Sequence, residues 1–180
     1  MKTKKIILCS LFICLITVGA YIKIPLPAVP LSLQLPFVIL CGMLLDRKSG
    51  ILCALVYLIM GLLGLPVFSA GGGISYILQP TFGYIIGFIP CAFIVSTLSN
   101  KKNCTSRRYL FSAIAGAFTV HIIGLVYFLA LSRFYLNAEI DLYALVPPLL
   151  AALTKDVVMC FLGATVGKRL RIVSGIFLAE

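Results

Sequence analysis

"SGILCALVYLIMGLLGLPVFSAGGGISYILQPTFGYIIGFIPCAFIVSTLSN", residues 49–100, contains no Asp, Glu, Lys or Arg. A helix that crosses a bilayer needs about 20 predominantly apolar residues. The stretch is therefore long enough for two spans and the loop between them. The loop falls at "GLPVFSAGGGISYILQP", residues 64–80, where proline and three consecutive glycines interrupt the apolar runs. A water-soluble domain of this size has no use for so much unbroken apolar sequence. The whole chain agrees: 180 residues, 62% hydrophobic and 11% charged, with a mean hydropathy of +1.15. The expectation is an all-α integral membrane protein, one membrane-embedded domain over 1–180.

Working outward, hydropathy places six transmembrane helices near 6–22, 31–45, 50–63, 81–98, 109–131 and 145–166. The second and third are short, about 22 Å against a hydrocarbon core of about 30 Å. No internal repeat is evident, which speaks against the inverted-repeat secondary transporters. The opening "MKTKKIILCSLFICLITVGA" has the make-up of a secretory signal. With further spans following, it reads equally well as an uncleaved first helix.

Net charge is +10. The basic residues sit in short blocks between apolar runs, a pattern of topology signals and contacts with the lipid bilayer, with no nucleic acid implied. One side of the six-span arrangement carries Lys2, Lys4, Lys5, Arg47, Lys48, Lys101, Lys102, Arg107, Arg108, Lys168, Arg169 and Arg171. The other carries Lys23 and Arg133. By the positive-inside rule both termini are cytoplasmic. Three loops then face outward, at 23–34, 64–80 and 132–148. The first two are shaped by proline and glycine, and the second is apolar enough to fold over an opening and cap a cavity.

Lys155 and Asp156 stand side by side in the otherwise uncharged stretch 142–167. A charge at the centre of a span costs about 2.5–3.5 kcal/mol on insertion scales, so such residues generally face a cavity and serve a function. Gripping a small polar solute is one role; an internal ion pair that locks two helices is the other. A start at Pro147 would suit proline's tolerance of a helix's first turn. Further polar residues gather at the ends of the outer loops: Gln34 after the first, and Ser75, Tyr76, Gln79 and Thr81 after the second. Convergent polar groups on an aromatic wall are what orient a ligand in a pocket.

Catalytic constellations are scarce. His121 is the only histidine, and a lone histidine in an apolar helix reads first as a hydrogen-bonded packing residue. The seven cysteines include no C-x-x-C pair and suit neither zinc nor a disulfide framework, so they read as small packing residues. "AGGGIS" at 70–75 lacks the Lys-Ser/Thr ending of a phosphate loop. No cofactor or metal is expected, and uphill transport would draw on an ion gradient or another subunit.

The stretch "IPLPAVPLSLQ…GLPVFSAGGGISYILQPTFGYIIGF", 24–88, resembles the BioY family, the biotin-binding S components of energy-coupling factor vitamin transporters. The "P-x-P…P-x-S/T-L-Q" loop and the "G-L-P-V-F…G-G…P-T-x-G-Y-x-x-G-F" segment carry the resemblance, and span count and the acidic residue of the last helix extend it over nearly the whole chain. It implies an S-component-like bundle of six helices in a bacterial cell membrane and a non-enzymatic subunit. Biotin would be the transported ligand, captured in an outward-facing pocket. The implied partners are a transmembrane T protein and two ABC-type ATPases. The substrate-binding residues implied are Asp156, Lys155, Gln79, Thr81, Tyr84, Gln34, Gly72 and Gly73. Asp156 would take the ureido N–H groups, Gln79 and Thr81 the ureido carbonyl, and Lys155 or another cation the carboxylate.

Three departures stand out. Members often read P-T-G-G-Y where this chain has Phe82, and many place a lysine three positions after the acidic residue where this chain has Met159. S components often dock the coupling protein through alanines four apart in the first helix; here Ser10 and Cys14 hold that spacing. The competing readings are a facilitator or S component for another small solute, and an intramembrane enzyme using Asp156 as acid or base.

The charge split yields a direct test. In a cysteine-free background, a cysteine at either terminus should resist membrane-impermeant reagents in intact cells. Labelling of either terminus from outside would overturn the six-span topology.

Overall fold

The computed structural model describes residues 2–24, 31–99, 105–135 and 142–174. Pro25, Pro27 and Pro30 of the 23–34 segment, Lys101 and Lys102, and 136–141 of the 132–148 segment lie outside the described residues. Among the described residues there are six α-helices: α1 (Lys2–Tyr21), α2 (Gln34–Leu44), α3 (Arg47–Leu62), α4 (Phe82–Ser99), α5 (Ser106–Phe134) and α6 (Leu142–Ser174). A 3-10 helix, Ile74–Leu78, lies between α3 and α4, and β1 (Lys23–Ile24) pairs antiparallel with β2 (Leu31–Ser32) between α1 and α2.

Among the described residues, four helices contain segments long and apolar enough to cross a membrane: Thr3–Tyr21, Phe82–Ser99, Ser106–Phe134 and Leu149–Leu170. At 1.5 Å per residue, α2 and α3 reach only about 16 and 24 Å, in line with the shortness expected of the second and third spans. They meet at Asp46, the N-cap of α3. Its carboxylate accepts from Ser49 Oγ at 2.7 Å and from the Ser49 N–H at 3.4 Å, and pairs with Lys5 of α1 at 3.1 Å. Burial alone would raise the Asp46 carboxyl; the Ser49 and Lys5 bonds outweigh it and hold the group below its ordinary value. One short side chain thus caps a helix and ties the start of α1 to it.

The middle of the bundle is α4, packed against α2, α3 and α5. Its buried face carries Ile85, Phe88, Cys91, Ala92 and Val95. Small residues set the close approach of α4 and α5: a Cβ on Gly116 would lie 2.5 Å from Val95 Cγ2, and one on Gly87 would lie 3.0 Å from Val120 Cα. In lipid there is little hydrophobic drive between helices, so such close packing is what association rests on.

The last helix corrects the expected start at Pro147. It begins at Leu142 and runs through both prolines. Proline's fixed φ is already helical, so the chain continues at the cost of two ladder donors. Asp156 therefore lies about 21 Å along the helix from its start.

The 64–80 loop is an ordered structure. Phe68 and Gly71 exchange backbone hydrogen bonds at 3.0 and 3.1 Å, and the Gly73 N–H donates to Gly61 O of α3 at 2.7 Å. Gly71 and Gly73 have φ of 106° and 112°, where side chains are strained. A Cβ on Gly72 would lie 2.1 Å from the Leu65 carbonyl oxygen. The loop is thus closed on itself and pinned to α3. Replacing Gly72 by alanine should destabilise the protein by about 1–3 kcal/mol, because the obstructing atom is backbone. Gly163→Ala, where the added methyl meets open space, should leave stability unchanged or raised. Thermal unfolding in detergent measures both, and an unaltered midpoint for Gly72→Ala would contradict this packing.

Candidate functional site

Five segments converge on one cavity of about 600 Å³, counting its open mouth. The strand and start of α2 contribute Ser32, Gln34 and Leu35; the 64–80 loop contributes Ser69 and Tyr76. Thr81 and α4 supply Tyr84, Ile85 and Phe88, α5 supplies Val120 and His121, and α6 supplies Ala152, Lys155 and Asp156. The lining mixes an apolar wall with a few polar groups, as small-molecule sites do.

At the α5–α6 side of the cavity the charges form a chain. Asp156 is 4% exposed and so needs partners. Its Oδ2 accepts from His121 Nε2 at 2.9 Å. Lys155 Nζ lies 2.9 Å from Oδ1, an ionic contact whose angle leaves Oδ1 without a hydrogen-bond donor among the described residues. The same ammonium donates to the Ser32 carbonyl at 2.7 Å. Adjacent helical positions point about 100° apart, yet the long lysine stem curls back over that angle. The Ser32 carbonyl takes one of its three N–H donors, and the ammonium keeps donor capacity toward the cavity. His121 Nδ1 is likewise buried without a partner among the described residues.

The opposite wall is a hydroxyl relay. Ser69 Oγ and Tyr76 OH are 3.1 Å apart, and Tyr76 OH and Thr81 Oγ1 3.3 Å apart. Gln34 is buried; its Nε2 donates to Tyr57 OH, which donates to the Val67 carbonyl at 2.8 Å, and its Oε1 accepts from Ser32 Oγ at 3.2 Å. Behind this wall Phe68 and Tyr76 pack with ring centres 4.6 Å apart, and Phe82 bridges Tyr76 and Tyr127 at 6.4 and 5.8 Å. Tyr84 sets its edge against His121, with centres 6.0 Å apart.

Of the residues singled out in the sequence, the cavity thus brings together Asp156, Lys155, Thr81, Tyr84 and Gln34. Gln79, Gly72 and Gly73 are not on its wall. Gln79 is exposed and ends the 3-10 helix, where its N–H donates to the Tyr76 carbonyl at 2.9 Å. Gly72 and Gly73 are spent on the close turn against α3. Ser10 and Cys14 lie on an exposed face of α1 with Ile6, Leu11 and Val18, far in sequence from the wall. Ser32 and Ser69 lacked any separate signal beyond lying in the shaped outer loops. His121 is hydrogen-bonded, as a packing histidine would be, but its partner is the site's own carboxylate.

A cavity with a buried charge chain, set in a bundle of apolar helices, is the architecture of a membrane protein that holds a small polar solute. The chain matches the BioY family over residues 1–174, and it belongs to that family. Relatives include the "Probable biotin transporter BioY" of Lysinibacillus sphaericus, 40% identical over 77% of this chain and 71% of the relative. The "Biotin transporter BioY" of Thermotoga maritima is 41% identical over 74% of this chain and 75% of its own. The fold is similar to a crystal structure of the S-component for biotin from an ECF-type ABC transporter, with a TM-score of 0.81 over 95% of this chain and 92% of the other, at 24% identity.

Proposed function

We propose that this protein captures biotin from the outer face of a bacterial cell membrane and presents it, as the S subunit, to an ATP-driven energy-coupling factor. The observation that carries the reading is Asp156: a buried carboxylate on a cavity wall, in ionic contact with Lys155 and hydrogen-bonded to His121, with lone-pair capacity left on Oδ1. A biotin ureido ring brings an N–H group to such an acceptor. Family membership and the relatives' printed names support the ligand. The multi-pass topology with cytoplasmic termini rests on the charge split.

Lys155 is bonded to the Asp156 end of the cavity, so it addresses the same end of the ligand. Ureido ring and carboxylate lie at opposite ends of biotin. The donor capacity left on Lys155 therefore suits the ureido carbonyl, and the carboxylate needs another cation. We assign that role to exposed Lys23, which is outside the cavity lining but donates to the backbone carbonyl of Ser69, a residue of the wall. Tyr84 and Phe88 cover the apolar rings. His121 fixes the Asp156 carboxylate through Nε2. The exposed face of α1 around Ser10 and Cys14 is offered to the transmembrane T protein, which carries the two ATPases.

Titration of purified protein with biotin tests the reading. Charge-assisted hydrogen bonds contribute about 1.5–3 kcal/mol each. Asp156→Asn exchanges an acceptor for a donor and should weaken binding by about 30- to 1000-fold. Near-wild-type affinity in folded Asp156→Asn would make the charge chain a structural lock. Biotin methyl ester separates the two lysines: Lys23→Met should narrow the gap between ester and acid, while Lys155→Met should weaken both alike. The reverse pattern would place the carboxylate at Lys155. Leucine at both Ser10 and Cys14 should abolish co-purification of the T protein and spare biotin binding; a retained complex would exclude that face.

A further inference from the structure

We propose that the groove between the first turn of α5 and the last turns of α6 binds an anionic phospholipid, its phosphodiester at the basic end and an acyl chain along the apolar wall. The groove holds about 890 Å³, counting its open mouth. Arg107, Lys168 and Arg169 line one part of it, and Leu110, Phe161 and Ala164 another. On α6, Phe161, Ala164 and Lys168 follow i, i+3, i+7 spacing and share a face. Phe161 and Lys168 are about 10 Å apart along the axis, so the groove passes from cations to hydrocarbon within the depth of one leaflet. Phe161 is 62% exposed, an apolar ring turned outward at the wall of the groove.

The basic end is closed by Lys168 Nζ donating to Ser106 Oγ at 2.8 Å. None of the three cations has an acidic partner among the described residues: Asp46 is taken by Lys5, and Asp156 by Lys155 and His121. The first turn of α5 carries no acidic residue, so its N–H groups add to the positive field. Arg108 is turned away and donates through Nε to the Leu98 carbonyl, which leaves Arg107 as the arginine of that turn lining the groove. Guanidinium forks match phosphate oxygens, and basic pockets between helices on the cytoplasmic side suit anionic head groups. A soluble phosphate would use only the charged end; the continuous apolar wall favours a lipid.

Native mass spectrometry of the full-length protein in mild detergent, with added phosphatidylglycerol or phosphatidylcholine, tests this. Removal of the three cations in Arg107→Gln/Lys168→Gln/Arg169→Gln should lower phosphatidylglycerol retention by about fivefold per cation. Phosphatidylcholine retention should stay low throughout. Lys4→Gln/Arg47→Gln/Lys48→Gln removes the same charge elsewhere and should have little effect. Biotin binding reports that each variant is folded, and the exposed single changes Arg107→Gln and Arg169→Gln stand in if the triple variant is not. Equal losses in the two triple variants, equal retention of both lipids, or displacement of phosphatidylglycerol by inorganic phosphate at the same concentration would each overturn the proposal. So would a groove variant that keeps its lipid but no longer co-purifies with coupling subunits, which would make the groove a protein-docking face.

Discussion

A carboxylate held about 21 Å along an apolar helix must be neutralised and hydrogen-bonded, and much of this protein is arranged around that demand. Asp156 takes one bond from α5 through His121 and an ionic contact from its own neighbour Lys155. Lys155 in turn reaches the Ser32 carbonyl next to α2. Three parts of the bundle are thereby tied at one charged point. An ion pair kept only for stability would be a poor solution, since buried pairs rarely recover their desolvation cost unless every lone pair is satisfied. Here, among the described residues, Oδ1 has only the ionic contact with Lys155, and His121 Nδ1 has no hydrogen-bond partner. Unsatisfied acceptors beside a cavity suit a site that is completed by its ligand.

The apolar packing serves that point by keeping the rest of the structure fixed. Small residues let α4 and α5 close upon each other, which places Tyr84 edge-on to His121. The glycine loop, pinned to α3, supplies Ser69 and Tyr76 as the facing wall. Aromatic rings then fill the space behind, from Tyr57 through Phe68 and Tyr76 to Phe82 and Tyr127. Preorganised walls lower the ordering cost of binding a small solute.

Hydropathy made the six helices legible because each apolar run is long and flanked by charge or by Gly and Pro. It could not mark where helices end outside the hydrocarbon: α1 starts at Lys2 and α6 extends to Ser174, since a helix satisfies its own backbone in water as well as in lipid. The second run was cut short because Leu31 and Ser32 are spent on a strand. In the site, Asp156 and Lys155 were legible as charges where none is cheap. Gln79, Gly72 and Gly73 drew notice by residue type and motif, but polarity near a cavity does not fix direction, and the 3-10 helix turns Gln79 outward. His121 was hidden by the opposite effect: its partner is 35 positions away on another helix, a distance that no periodicity reports.

The central claim is that the Asp156 carboxylate accepts a hydrogen bond from the ligand. Infrared difference spectroscopy on protein with isotope-labelled aspartate reads that carboxylate directly. Adding biotin to the purified chain should shift the carboxylate stretch of one buried aspartate, and that shift should vanish in Asp156→Asn. Saturating, tight biotin binding with every aspartate band unmoved would contradict the account and place the ligand elsewhere.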